Sequence, residues 1–188
     1  APFALLLTWY NLTIFHSPWP VGYFFSSNYA EQHGTGFLSL THPTTAALWG
    51  ITFGQDRGLF FLAPWLLLAW PGIYSLWRRP ALRPELAVAL YAIIVFTLFN
   101  GSSVMWQGGF AVGPRYLLPM IPFMMLPVAA FWQEWGARTW TKIITGWLLV
   151  WSACAVWAET IGGQSFPDWT SNPLFNYSLP NLVDGNIA

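Results

Sequence analysis

Arg115 stands in the stretch WQGGFAVGPRY, residues 106–116, directly after a Gly-Gly pair and a Gly-Pro pair. Arg57 stands in DRGLF, residues 56–60, directly before a glycine. A guanidinium grips phosphate oxygens with two parallel hydrogen bonds, which a lysine cannot match. Glycine lets backbone approach a ligand closely, and Pro114 fixes the angle at which the chain enters the next segment. Both arginines precede long apolar runs, so the chemistry they offer is anion binding at the mouth of a membrane helix. The competing reading of Arg115 is an interfacial side chain that snorkels to headgroups or pairs with Asp56. An Asp56-Arg57 neighbour pair is equally readable as a solvated helix start. Trp106, in the same stretch as Arg115, needs no ligand to explain it, because Trp collects at membrane interfaces.

Other chemistries find no support. His16, His33 and His42 are spaced by seventeen and nine residues, which matches no compact zinc motif, so no metal and no cofactor is expected. Serines and threonines are scattered without a His and acid partner. Cys154 is the only cysteine, so neither an intrachain disulfide nor a cysteine-based metal site is possible within one chain. Asn11, Asn100 and Asn176 begin sequons, a triplet common by chance, and no glycosylation is assigned. The net charge is zero, which leaves no basic footprint for nucleic acid.

The elements that must position these residues are membrane helices. Of 188 residues, 55% are hydrophobic and only 7% are charged, against about 25% charged in ordinary soluble domains. The fold class is therefore an all-α integral membrane protein, with about four transmembrane helices, a partial N-terminal one and an extended external segment. Residues 1–9 read as the end of a helix whose beginning is missing, which makes the chain the expected C-terminal part of a longer polytopic protein. Residues 10–57 read as the external segment, 58–158 as the four-helix region and 159–188 as an irregular external tail. The expected spans are Gly58–Trp77, Pro84–Phe99, Tyr116–Trp132 and Trp140–Trp157. Pro119, Pro122 and Pro127 should kink the third. Loops 78–85 and 133–142 hold Arg78, Arg79, Arg83, Arg138 and Lys142, five of the seven basic residues. The positive-inside rule makes that side cytoplasmic and leaves 10–57 and 100–115 external.

Three stretches then carry a resemblance. Trp106-x-Gly108-Gly109-x-x-x-Gly113-Pro114-Arg115-Tyr116, followed by Leu-Leu-Pro, resembles the membrane-embedded glycosyltransferases of the GT-C superfold, relatives of bacterial protein mannosyltransferases and aminoarabinose transferases. Tyr10-Asn11, Phe15-His16-Ser17-Pro18 and Gly22-Tyr23 look like that family's external segment, with His16 where glycine is usual. Asp56-Arg57-Gly58-Leu59-Phe60 looks like the start of one of its helices, with Asp56 where a basic residue is common. The resemblance covers residues 10–132. It implies a transferase of the bacterial inner membrane that takes a sugar from a polyprenyl-phosphate carrier at the outer face. By that likeness Arg115 and Arg57 would hold the carrier phosphate, and Gln107, Trp106, His16 and Tyr23 would line the sugar or acceptor cleft. The catalytic residue stays unassigned: the family's acid lies in an earlier loop, and Glu31 matches no catalytic motif. The rival expectation is a non-catalytic subunit packed against other membrane subunits, or against a missing N-terminal half. A transporter ranks third, because none of the four runs carries a charge in mid-span.

Overall fold

The computed structural model describes residues 2–18, 35–36, 39–109, 112–163, 166–167 and 170–186. The described elements are helical. They divide into two compact units, residues 1–41 and 42–188. In the first unit, α1 spans Pro2–Phe15. It runs past the boundary expected at residue 9, because nothing before Pro18 breaks it and the Thr8 and Thr13 hydroxyls donate to the carbonyls of Ala4 and Trp9. No residue of α1 is buried. The helix gives way at His16, whose φ of 54° is left-handed. Glycine adopts that conformation without strain, and glycine is the residue expected there from the resemblance.

In the second unit, α2 (Thr45–Thr52) leads to a chain that passes along the bundle in three pieces: α3 (Leu59–Leu62), a 3₁₀ turn (Pro64–Leu68) and α4 (Ala69–Trp77). α5 (Arg83–Gly101) follows, then a 3₁₀ turn (Arg115–Met120) leading into α6 (Ile121–Trp135), and then α7 (Thr139–Ile161). Three helical segments are long and apolar enough to cross a membrane: Pro80–Gly101, Arg115–Trp135 and Thr139–Ile161. Their outward faces carry large apolar side chains, with Tyr91 71% and Trp147 72% exposed. Apolar surface of that extent belongs against hydrocarbon rather than water.

The Gly58–Trp77 run, expected as the clearest continuous span, is broken. Pro64 has no N–H and disfavours helical geometry in the residue before it. Ala63 accordingly sits at φ −127°, ψ 63°. The break releases backbone carbonyls, which are costly to leave unmet in an apolar surround. The indole Nε1 of Trp151, on α7, donates to the Phe61 carbonyl at 2.8 Å. The pieces still connect opposite ends of the bundle. Near Trp77, the Ser75 hydroxyl donates to Glu134 and Arg79 donates to the Gln133 side chain at 2.5 Å, tying α4 to the end of α6.

The most extensive helix packing joins α4 to α6. Gly72 makes it possible: a Cβ there would run into the Pro127 carbonyl. The prolines of the third run act as expected in part. Pro119 lies within the 3₁₀ turn, Pro122 near the start of α6, and Pro127 inside it at the contact with Gly72. The main core gathers Ile51, Leu59, Leu66, Leu117, Met120 and Met124. α2 is anchored by the Thr44 hydroxyl, which caps Ala47 N–H, and by Thr44 N–H donating to the Gly101 carbonyl at 3.1 Å. Asn100 is only 2% exposed, which removes that sequon as an acceptor.

The tail expected to be irregular is partly helical. α7 continues to Ile161, a single wide π turn covers Leu174–Ser178, and α8 spans Leu179–Val183. Leu174 is buried against Leu62, Ala155 and Ala158, and this apolar contact is what orders the segment. Side-chain amides fasten it: Asn181 donates to the Gly162 carbonyl at 2.8 Å, and Asn172 to the Gln55 side chain at 3.1 Å.

Candidate functional site

The two arginines meet one short turn from different sides. Gly108 and Gly109 follow each other at φ +72° and +78°. Two consecutive left-handed residues turn the backbone so that the carbonyls of Gln107 and Gly109 point the same way. Arg57 Nη1 receives both, donating to Gln107 O at 2.8 Å and to Gly109 O. Arg57 is brought there by its own tight turn, in which Gly58 N–H donates to Gly54 O at 2.8 Å. Its Nε lies 3.5 Å from Asp56 Oδ1, and its guanidinium carbon lies 4.8 Å from the centre of the Phe166 ring. Arg57 is 3% exposed. This is a buried arginine that ties a helix start, the glycine turn and the chain after α7 into one piece.

Arg115 has the opposite environment. It is exposed, at the first position of the segment Arg115–Trp135. Its Nη2 donates to the Tyr116 hydroxyl at 3.2 Å, and its guanidinium carbon lies 5.1 Å from the Tyr116 ring centre. The side chain lies along the glycine turn: a Cβ on Gly109 would come within 3.7 Å of its Nη2, and one on Gly108 within 3.4 Å of its Nε. The Gly-Gly pair thus serves two purposes. It supplies the left-handed turn that Arg57 grips, and it leaves a flat backbone surface for Arg115.

Trp106 is built into packing. Its ring lies where a Cβ of Gly50 would be, and it borders the main core. Gln107 is half-buried and contributes its backbone carbonyl to Arg57. His16 is exposed and belongs to the other compact unit. Tyr23, Glu31 and His33 lie outside the described residues. Of the six candidate site residues, the structure therefore brings together Arg57, Trp106, Gln107 and Arg115.

Sequence reasoning placed Glu159 at the start of the external tail. It is instead inside α7 and 0% exposed, and neither carboxylate oxygen has a hydrogen-bond partner among the described residues. Asp56 and Arg57 lie within electrostatic reach of it. The hydroxyls of Thr170 and Ser178 are also buried without partners there. The signal was present in the spacing of Ser152, Ala155, Ala158 and Gly162. Small residues recurring every three or four positions mark a helix face that packs closely. Glu159 stands beside that stripe, so it goes inward with it. Among the described residues no group of three or more His, Cys, Asp or Glu side chains could hold a metal ion.

No protein-family model, curated protein or solved structure matches the chain.

Proposed function

We propose that this chain binds the phosphate of a polyprenyl-phosphate sugar carrier at one face of a bilayer and is part of a membrane glycosyltransferase. The observation that carries the reading is Arg115. Its exposed guanidinium lies against the Gly108–Gly109 backbone at the end of a segment long and apolar enough to span a membrane. A carrier's phosphate would stand at that level, and a guanidinium free of buried partners can take it in two-point fashion. The three ordered motifs of residues 10–132 support the same reading. The catalytic carboxylate is supplied from outside these motifs.

In this reading the broken segment 59–77 is a fourth crossing, because its ends lie at opposite ends of the bundle. The Arg79 and Arg138 end is cytoplasmic and the Arg115 end is external, in a bacterial inner membrane. A non-catalytic subunit is the second reading. It is favoured by Arg57 and Trp106, which were read as ligand-binding candidates and are committed to packing.

Native mass spectrometry of the protein with a polyprenyl phosphate separates the two. Saturable binding weakened at least tenfold by Arg115→Ala, about 1.4 kcal/mol, is the expected result. No binding, or equal binding by both proteins, would refute the carrier reading and favour the subunit.

A further inference from the structure

The end of the bundle opposite Arg115 carries positive charge that the protein leaves unpaired. Arg78, Arg79, Arg83, Arg138 and Lys142 belong to it, and none of them forms an ion pair among the described residues. Two carboxylates belong to the same end and do not answer these cations. Glu134 accepts from the Ser75 hydroxyl instead. Glu85 stands in the first turn of α5, where the positive end of the helix dipole favours it.

Two of the arginines are held in place by aromatic rings. The guanidinium carbon of Arg78 lies 5.8 Å from the centre of the Tyr74 ring, and that of Arg83 lies 5.3 Å from the Trp77 ring. Arg83 Nε donates to the Trp77 carbonyl at 3.0 Å. The two terminal nitrogens of Arg83, and the whole guanidinium of Arg78, make no hydrogen bond among the described residues. Tyr74 and Trp77 are three residues apart in α4, so they are neighbours on one helix face, with about 5–6 Å between their Cβ atoms. The two guanidiniums therefore stand over neighbouring rings, one at each end of the short turn that joins α4 to α5. Like charges placed so repel each other unless an anion is shared between them, and a phosphate diester is the anion that a guanidinium fork fits.

The rings indicate the source of that phosphate. Tyr74 and Trp77 are exposed, and so is Trp70, one turn further along the same face. A free phosphate makes no use of exposed rings. A phospholipid does: its phosphate stands at the depth where Trp and Tyr collect, and its chain continues past Trp70 into the bilayer. A headgroup of net negative charge fits, because choline would bring another cation to a place already rich in them. We propose that Arg78 and Arg83, with Tyr74 and Trp77 beneath them, bind the headgroup of one anionic phospholipid from the leaflet at this end. The bound phosphate would fasten the turn between α4 and α5. The site uses none of the residues assigned to the carrier and is independent of that reading.

The test is native mass spectrometry of the protein in mild detergent, titrated with phosphatidylglycerol and with phosphatidylcholine. Wild type is expected to bind one phosphatidylglycerol about tenfold more tightly than phosphatidylcholine, and less tightly as sodium chloride is raised. Arg78→Gln with Arg83→Gln is expected to abolish the preference while helical circular dichroism is retained. Arg78→Lys with Arg83→Lys keeps both charges without the guanidinium fork and is expected to lose part of it. Arg138→Gln with Lys142→Gln removes the same charge from the same end and is expected to keep the preference. Arg115→Ala is expected to keep it too, whatever happens to carrier binding, so the two proposals are decided separately. No preference in wild type, equal loss from the two glutamine pairs, full retention in the lysine pair, or loss in Arg115→Ala would overturn the site. Displacement of the lipid by an equal concentration of inorganic phosphate would make it a free-anion site and overturn the lipid assignment.

Discussion

Replacing Arg57 with methionine tests whether the buried clamp holds this end of the molecule together. Methionine keeps most of the aliphatic stem and removes the guanidinium. The Gln107 and Gly109 carbonyls lose their shared donor, and Asp56 and Glu159 lose the cation between them. Hydrogen bonds to a charged group contribute about 1.5–3 kcal/mol each, so the pair is worth about 3–6 kcal/mol before relaxation. The Asp56 carboxylate is 32% exposed, so its pairing with Arg57 adds little to this. A loss of about 4 kcal/mol is a large part of the roughly 5–15 kcal/mol typical of a folded domain. For a chain of this size, about 2–4 °C of melting temperature follows each kcal/mol, so a fall of roughly 8–16 °C is expected. The assay is thermal unfolding of the detergent-solubilised protein, followed by circular dichroism. Glu159→Gln sharpens it. The Glu159 carboxyl is buried within electrostatic reach of Arg57, so its replacement should have a different effect in wild type and in Arg57→Met. Non-additivity of about 1–3 kcal/mol is expected for groups in one network. A fall of less than about 3 °C for Arg57→Met, or strictly additive effects in the cycle, would refute the clamp.

Gly72→Ala places a methyl into the Pro127 carbonyl and should destabilise by about 1–3 kcal/mol, the usual cost of overpacking; unchanged melting would mean that α4 and α6 are not in contact there. Trp151→Phe keeps the ring and deletes the donor to Phe61, with an expected loss of about 0.6–2 kcal/mol, typical of a hydrogen bond within a membrane; equal stability in detergent and in nanodiscs would count against it. Single cysteines introduced into a Cys154→Ala background at Ala81 and at Gln107 should react oppositely with a membrane-impermeant maleimide applied to intact cells. Labelling at 107 and protection at 81 is expected, and the reverse would invert the proposed orientation.

Much of this architecture is legible in the sequence, because a bilayer imposes simple rules on composition and length. The runs expected at 84–99, 116–132 and 140–157 all lie within segments fit to span. What failed was continuity and burial. A count of apolar residues passes over Pro64, although the break follows from that proline's missing N–H and its effect on Ala63. The first helix was ended at residue 9 and runs to Phe15, and the tail was read as irregular from its Asn, Ser and Pro; there, Leu174 and two asparagine side chains supply the contacts that order it. At the site, the glycines at 108 and 109 were read as room for a ligand. They are better explained by the positive φ of both, which a side chain would strain. Sequence position cannot distinguish two arginines that each precede an apolar run. Only the three-dimensional path of residues 54–58 decides that one goes in.

That separation bears on topology as well as on binding. Counted along the sequence, the charge bias between the two ends is five basic residues against two. Arg57 is buried beside Asp56 and offers no exposed charge to a membrane surface. The residues at the other end are differently disposed. Arg78, Arg83, Arg138 and Lys142 are exposed and Arg79 is half-buried, with Arg78 and Arg83 lying over Tyr74 and Trp77. The effective bias is therefore five against one, and the one is Arg115. Arg115 is thus the one arginine or lysine left exposed at that end to meet the proposed phosphate. The proposed orientation and the proposed phosphate contact thus share an origin in the burial of Arg57.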